Sequence, residues 1–201
     1  MKLTALDIMR CNVFLLIALF FGIISTFSQS KQEREFRIEE AIFPTNAKNL
    51  LNPYLINSKR IRFYKEFDGE KISFEAKFKK DRLKYSIEFS ESGMLEDVEF
   101  IIKKVDIPDS TFEAITSYLI GEHGKYRVKK IQQQYLNREE KPKEVLKVAF
   151  QNLILPEINY EIIIAAKDDK GYAEYEITFN SDGKHLLSRR STKPEYDHIL
   201  Y

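Results

Sequence analysis

The stretch YSIEFSESG at residues 85–93 is repeated as YEITFNSDG at residues 175–183. This internal repeat is the strongest indication of the fold. In both copies apolar and polar residues alternate and then reach a turn that ends in Gly, as expected of a strand followed by a tight turn. A second pair, FPTNAKNLLNPYL at 43–55 and IPDSTFEAITSYL at 107–119, precedes these strands at an offset of 64 residues. Such self-similarity predicts two similar units that bury a shared core.

Each unit opens with a helix signal. Residues 110–113 (STFE) form a capping-box sequence that predicts a helix N-terminus, and Gly121 or Gly124 is expected to end that helix. In the first unit, apolar residues at helical spacing over 47–55 predict a second helix. Pro53 lies inside this pattern and is expected to kink the helix or end it early.

Strands follow each helix. Alternation predicts strands near 60–64, 74–78, 85–89 and 98–102 in the first unit, and at 128–135, 145–150, 158–165, 172–179 and 185–189 in the second. The strand at 145–150 belongs to an insertion near 136–156. We therefore predict an α+β fold in which two helices pack on one face of a continuous antiparallel sheet, with charged residues facing water on the other. Five aromatic residues should pack beneath the helices: Phe63, Phe74, Phe78, Tyr85 and Phe89.

The N-terminus has the pattern of a secretory signal. A basic start is followed by the apolar run 13–24 and by small residues, so we predict a signal peptide over 1–30, cleaved to leave a periplasmic or secreted protein. The alternative is an uncleaved N-terminal anchor in the inner membrane. The predicted order continues with a first repeat at 31–104, a second at 105–190, and a tail at 191–201 that either docks on the core or acts as a recognition peptide.

Charge and cysteine content exclude several classes of protein. The 201 residues contain 32 Lys and Arg against 31 Asp and Glu. Removing Lys2, Arg10 and Asp7 with the signal leaves 30 of each, which gives no overall basic field for nucleic acid. Cys11, the only cysteine, precedes the apolar run. Its position does not fit lipid attachment, and the mature chain would have neither disulfides nor thiol chemistry.

The order of these motifs resembles a known family. A helix opening at Pro44 is followed by a basic strand with Tyr-Lys-Glu at 60–66, by Phe-Glu-Ala-x-Phe at 74–78, and by Tyr-x-x-x-Phe-x-x-x-Gly at 85–93. This resembles the PepSY-like domain, also described as the β-lactamase-inhibitor-protein-like fold, of envelope proteins in Bacteroidetes-type bacteria. The resemblance implies a non-catalytic binding or inhibitor-type module and supplies no catalytic residues.

Motifs for catalysis, cofactors or metals are missing from the sequence. His123, His185 and His198 do not have zinc-ligand spacing, and there is neither a G-x-S-x-G elbow nor a phosphate-binding loop. We therefore assign no catalytic, cofactor-binding or metal residues, and expect a protein that is not an enzyme.

The candidate binding residues lie on the outward face of the predicted sheet: Arg60, Arg62, Tyr64, Glu75 and Lys77. Tyrosine and arginine are frequent anchors of protein partners. Tyr126 and Tyr135 are further candidates for this face. The expected partner is a protein or an envelope component, with membrane contact only through the signal segment. The alternatives are a small-ligand carrier or enzyme with a pocket between helices and sheet, and a structural envelope protein.

Overall fold

The computed structural model describes residues 30–31, 33–169 and 171–191. The predicted signal before residue 30 and the tail after 191 lie outside these residues. Within them are ten strands: β1 (Ser30–Lys31), β2 (Glu33–Ile38), β3 (Lys59–Asp68), β4 (Lys71–Lys80), β5 (Leu83–Ser90), β6 (Leu95–Ile101), β7 (Tyr126–Leu136), β8 (Asn159–Asp168), β9 (Gly171–Asn180) and β10 (His185–Ser191). The α-helices are α1 (Thr45–Leu55), α2 (Asp109–His123) and α3 (Pro142–Phe150), and short 3-10 turns span Glu40–Ile42 and Lys104–Asp106.

All the strands form one sheet in the order β1-β10-β9-β8-β7-β6-β5-β4-β3-β2. Every neighbouring pair is antiparallel except β1 and β10, which are parallel. The first unit is α1 followed by β3 to β6, and the second is α2 followed by β7 to β10. The predicted α+β class and the tandem helix-plus-strand repeat are therefore confirmed.

The sheet coils until its two edges meet. A flat sheet would separate β10 from β3 by about 34 Å, since seven strand spacings of about 4.8 Å lie between them. Instead, the Arg189 guanidinium lies 3.7 Å from the Asp68 carboxylate. One residue separates β1 from β2, and these two strands pair with β10 and β3, so a single N-terminal segment contacts both edges.

The apolar core lies between the helices and the outer, convex face of the coiled sheet. All five aromatic residues predicted to pack beneath the helices are buried, which confirms that prediction. Phe43, just before α1, contacts the rings of Phe63, Phe74 and Phe89 at centroid distances of 4.6–6.0 Å. From α2, Tyr118 meets Phe179 of β9 edge to face at 5.4 Å. Aromatic contacts thus fix the start of α1, and helix α2, to the strands of their own units.

Both repeat helices begin after a proline, and the predicted capping box is not formed. Pro44 and Pro108 occupy the N-cap positions with nearly the same backbone angles, φ −54° and −53°. The second helix starts at Asp109, so the capping residues fall inside its first turn and no side chain caps it. Thr111 instead donates a hydrogen bond to the carbonyl of Ser181, at 2.8 Å, across the core.

The ends of the helices follow the sequence signals. Helix α2 ends at His123, and Gly124 adopts φ +61° with its amide bonded to the Ile120 carbonyl at 2.9 Å. Helix α1 contains Pro53 and ends two residues later, at Leu55. Because Pro53 removes one amide from the last turn only, α1 is shortened rather than disrupted.

The strand predicted at 145–150 is wrong, because these residues belong to helix α3. Pro142 stands at the first helical position, where its fixed φ favours a helix start. Leu146 and Ala149 are fully buried, and Phe150 stacks on Tyr85 at 4.6 Å. The insertion therefore adds a third helix over the centre of the sheet, where two were predicted. Within the described residues, none of the helices is long and apolar enough to cross a membrane.

The polar face of the sheet as a candidate binding site

The polar face is the side of the sheet that the helices leave uncovered. The sequence predicted that its charged side chains face water, but many are enclosed because the sheet coils around them. Eight of its residues are at most 9 % exposed: Glu66, Ser73, Glu75, Asp97, Gln132, Gln134, Asn159 and Glu161. Arg189 and Asp68, which join the edges of the sheet, also belong to this face. The prediction of the alternation was correct, and the prediction of full exposure was wrong.

Lys77 lies at the centre of one charged cluster on this face. Its ammonium group lies 2.7 Å from a carboxylate oxygen of Glu75 and 2.5 Å from one of Glu35, and 4.9 Å from the centre of the Tyr64 ring. Burial lowers the pKa of Lys77, but the two carboxylates outweigh burial and raise it above its ordinary value. Ser86 also donates a hydrogen bond to Glu75. Two of the predicted partner-binding residues, Glu75 and Lys77, are therefore bound to each other.

Three carboxylates of this cluster could in principle hold a metal ion. Ligand oxygens of Glu35, Glu66 and Glu75 lie within 4.8 Å of one another. The ammonium of Lys77 already contacts two of these three groups. A cation of the protein itself therefore already lies between two of the three carboxylates, and we assign no metal to this position.

Deeper in the polar face, amide side chains donate in a chain to two carboxylates. Asn159 donates to Gln134 at 3.2 Å, and Gln134 donates to both Asp97 and Glu99, at 3.0 and 2.9 Å. Gln132 donates to the second oxygen of Glu99 at 2.5 Å. Burial, followed by the nearby carboxylates of Glu88 and Glu161, raises the pKa of Asp97 well above its usual range.

The pKa of Glu99 is also raised well above its usual range. Burial is the largest cause that raises its pKa, and the charges of Glu161 and Asp97 add to it, while Lys130 acts in the opposite sense. Two neighbouring acids with raised pKa values favour a shared proton over two negative charges. This acid–amide chain is well supplied with donors, so its hydrogen bonds are directed within the protein and not toward a partner.

At the other end of the same strands, the polar face opens into a groove of about 310 Å³. We name it the cationic groove. Its lining includes six cationic side chains and no acidic one: Arg60, Arg62, Lys77, Lys79, Lys84 and Lys130. Tyr64 and Ile101 provide an aromatic and an aliphatic surface beside them. Arg60, Arg62, Lys79 and Lys84 are exposed. Among the described residues, only Lys77 of the six makes an ion pair.

The structure thus brings together four of the five predicted binding residues, Arg60, Arg62, Tyr64 and Lys77, and separates Glu75 from the groove. Sequence reasoning did not place Lys79 and Lys84 among the candidate binding residues. It had no means of finding Lys130, because the pairing of β6 with β7 brings that residue to the groove.

The other two tyrosines proposed for this face lie elsewhere. Tyr135 is 3 % exposed on the helix side, and its hydroxyl donates to the Leu153 carbonyl at 2.8 Å. Tyr126 is half-buried against the same core. The bulge between Val128 and Lys130 changes the alternation within β7, so that Tyr126 and Tyr135, although nine residues apart, lie on the same side of the sheet.

Comparison with known proteins finds solved structures of similar fold but no matching sequence family. Neither a family model nor a curated protein matches the chain. A solved protein described as periplasmic, from Bacteroides eggerthii, superposes with a TM-score of 0.50 at 11 % identity, covering 76 % of this chain and 92 % of that one. A DUF2874 family protein from Bacteroides ovatus gives 0.50 at 12 % identity, with coverage of 78 % and 93 %. A BLIP-like protein from Bacteroides fragilis gives 0.47 at 11 %, with 79 % and 92 %.

The resemblance inferred from sequence agrees with these neighbours in its coarser form. The two neighbours with a TM-score of 0.50, one described as periplasmic and one a DUF2874 family protein, both come from Bacteroides, whereas the PepSY-like name stays a prediction. At 10–12 % identity the likeness shows the fold alone.

Proposed function

We propose that this protein is a non-catalytic binding module of the bacterial envelope, and that it recognises a protein partner through the cationic groove of its polar face. The observation that carries the proposal is the contrast along this face. The acid–amide chain bonds within the protein, whereas Arg60, Arg62, Lys79 and Lys84 are exposed and make no ion pair among the described residues. Arginine and tyrosine, which stand together here, are among the residues enriched at protein–protein interfaces.

The place of action is part of the same proposal. The predicted signal at 1–30 and the periplasmic description of a fold neighbour support export to the periplasm. The signal segment lies outside the described residues. Fractionation of producing cells tests this point, since a cytoplasmic protein of full length would contradict it.

Charge reversal in the groove should abolish binding of the partner. We expect Arg62→Glu together with Lys79→Glu to weaken binding at least about tenfold, because both attractive cations become repulsive. The measurement is quantitative capture from envelope extract by the immobilised protein, followed by titration of the captured partner against both forms.

The matched control is Lys143→Glu together with Lys147→Glu on α3, which changes the net charge equally on the helix side, where both lysines are exposed. If the two double variants lost binding equally, the effect would be one of overall charge and the assigned face would be wrong. If the folded wild-type protein retained no protein but bound an envelope metabolite, the small-ligand alternative would replace the proposal.

A further inference from the structure

Three lysines lie in register across three strands beside the cationic groove. Lys59 of β3 pairs with Lys79 of β4, and Lys79 pairs in turn with Lys84 of β5. Like charges directly opposite one another destabilise a sheet. Among the described residues, none of the three has an acidic partner, and all are exposed. The arrangement concentrates positive charge at one end of the strands, and an anionic occupant would relieve the repulsion.

Besides the repulsion among the lysines, the bulge at the groove has a strained backbone. The register between β3 and β4 shifts between Lys59 and Arg62, and Arg60 within this bulge adopts φ +57°. A non-glycine residue in the left-handed region is strained. The bulge re-aims the strand so that both Arg60 and Arg62 line the groove.

An apolar recess adjoins the groove and shares one residue with it. This recess has a volume of about 700 Å³ and is lined by Ile38, Leu55, Ile61 and Phe63 together with the charged groups Arg37, Glu39, Glu40 and Arg62. Arg62 therefore borders both cavities. Ile61 is itself 38 % exposed. The combined surface offers cations on one side of Arg62 and, on the other, aliphatic and aromatic carbon bordered by Arg37, Glu39 and Glu40.

Positive and negative side chains of the polar face are concentrated at opposite ends of the strands. The cationic groove lies at the β3 and β5 N-termini, whereas Glu88, Glu96 and Asp97 lie at the opposite end of β5 and β6. Lys71 contacts Glu96 at 2.6 Å and Glu88 at 3.3 Å there. Such a dipolar face orients an approaching acidic partner toward the groove and away from the acidic end.

We infer that the groove and the recess together bind an extended acidic segment of a protein partner, with one large apolar side chain of that segment seated in the recess. The inference rests on the proposed function and gives its partner a chemistry. A simple polyanion, such as a sulfated or phosphorylated polymer, would satisfy the lysines but would leave the recess empty. The apolar lining of Ile38, Leu55 and Phe63 therefore favours a peptide.

The test uses fluorescein-labelled peptides and the exported full chain. The first peptide alternates Asp and Glu around a central Leu-Phe pair, the second has Gly-Ser at the centre, and the third has Asn and Gln in place of the acids. By fluorescence anisotropy we expect the first peptide to bind most tightly, the second at least about tenfold more weakly, and the third not at all. Binding of the first should weaken as salt is raised.

Two variants test whether the residues that are unfavourable for stability are the ones that bind the peptide. Arg60→Gly and Lys79→Ser should each weaken the first peptide several-fold while leaving thermal stability unchanged or raised, because each removes an unfavourable feature of the free protein. Lys125→Ser, an exposed cation beyond the C-terminus of α2, should change neither. A loss of stability in parallel with binding would indicate a structural role for these residues and contradict the inference.

Three results would overturn it: equal affinity for the first two peptides, full competition by dextran sulfate at equal charge, or no binding of any peptide by the folded protein. The first two indicate recognition of charge alone. If the peptides failed while a partner was still captured from extract and lost with the Arg62 and Lys79 reversal, the proposed function would stand and only the acidic-segment inference would fail.

Discussion

Gly183→Ala is expected to lower the free energy of unfolding by about 2–4 kcal/mol, through backbone strain and a steric clash together. Gly183 adopts φ +80°, where an L-residue is strained. An added Cβ would also lie 2.5 Å from the carbonyl oxygen of Thr111 and 2.9 Å from the Cβ of Ala114. Both atoms belong to helix α2, so the helix would have to move away from the sheet to accommodate a methyl group.

Substitutions at two other glycines distinguish the cost of backbone strain from the cost of a steric clash. Gly69 has φ +62° with nothing within 4 Å of an added Cβ, so Gly69→Ala should cost only the strain, about 1 kcal/mol. At Gly93, φ +77°, the new methyl would meet the side chains of Asn46 and Pro44, and the amide would turn away from it only by losing its hydrogen bonds to the Ser92 and Gly93 carbonyls. We expect the cost in urea unfolding to increase from Gly69 to Gly93 to Gly183. Equal costs at all three would show that helix docking against the turns contributes nothing.

The glycine at the end of each repeated motif is therefore a docking point for a helix as well as a turn residue. In the first unit, the Asn46 amide donates to the carbonyls of Ser92 and Gly93, at 2.9 and 3.1 Å. In the second, the Thr111 hydroxyl donates to the Ser181 carbonyl at 2.8 Å. In both, a polar side chain in the first helical turn bonds to the turn that a Gly closes. This explains physically why the two most similar parts of the repeats are the helix start and the strand end.

The sequence predicted those features that depend on local pattern. Alternation located β3 to β6 and the strands of the second unit, because each strand has one face against the helices. The misplaced element was α3, where residues 145–150, bracketed by Pro142 and Pro156, were interpreted as a strand. Leu146, Ala149 and Phe150 fall at helical spacing, and Pro142 at the first helical position was the signal that went unused.

The binding face depended on a long-range feature that no local pattern contains. Coiling accumulates over the whole sheet, and shifts of register occur in the β3–β4, β5–β6, β7–β8 and β9–β10 pairs. Each bulge increases local twist. Alternation indicates which side a residue such as Glu75 lies on, but it gives no information about whether that side is flat and wet or coiled and enclosed. Exposure of the candidate residues therefore followed from tertiary structure alone.

Because the acids of the polar face are enclosed, replacing one of them is expected to have a large effect on stability. Asp97→Asn should stabilise the protein by about 1–3 kcal/mol near pH 8 and by little near pH 4. Burial and neighbouring carboxylates raise the pKa of Asp97 in the folded protein well above that of the unfolded chain. The fold therefore holds this proton more tightly, which stabilises it below the unfolded pKa, and the stabilisation is lost as the pH rises through the folded pKa. Asparagine is neutral throughout and avoids that loss.

Glu99→Gln is the informative comparison, because its hydrogen bonds differ. Among the described residues, Asp97 accepts one side-chain hydrogen bond, from Gln134 to Oδ2, and the oxygen of an asparagine is able to accept the same bond. Glu99 accepts on both oxygens, from Gln134 on Oε1 and from Gln132 on Oε2, so a glutamine would direct its own NH₂ at one of these donors. Urea unfolding from about pH 4 to about pH 8 should thus show a clear gain for Asp97→Asn and a smaller one for Glu99→Gln. A gain for Asp97→Asn that did not grow with pH would mean that the carboxyl group is solvated, and that the coiled sheet does not exclude water from its polar face.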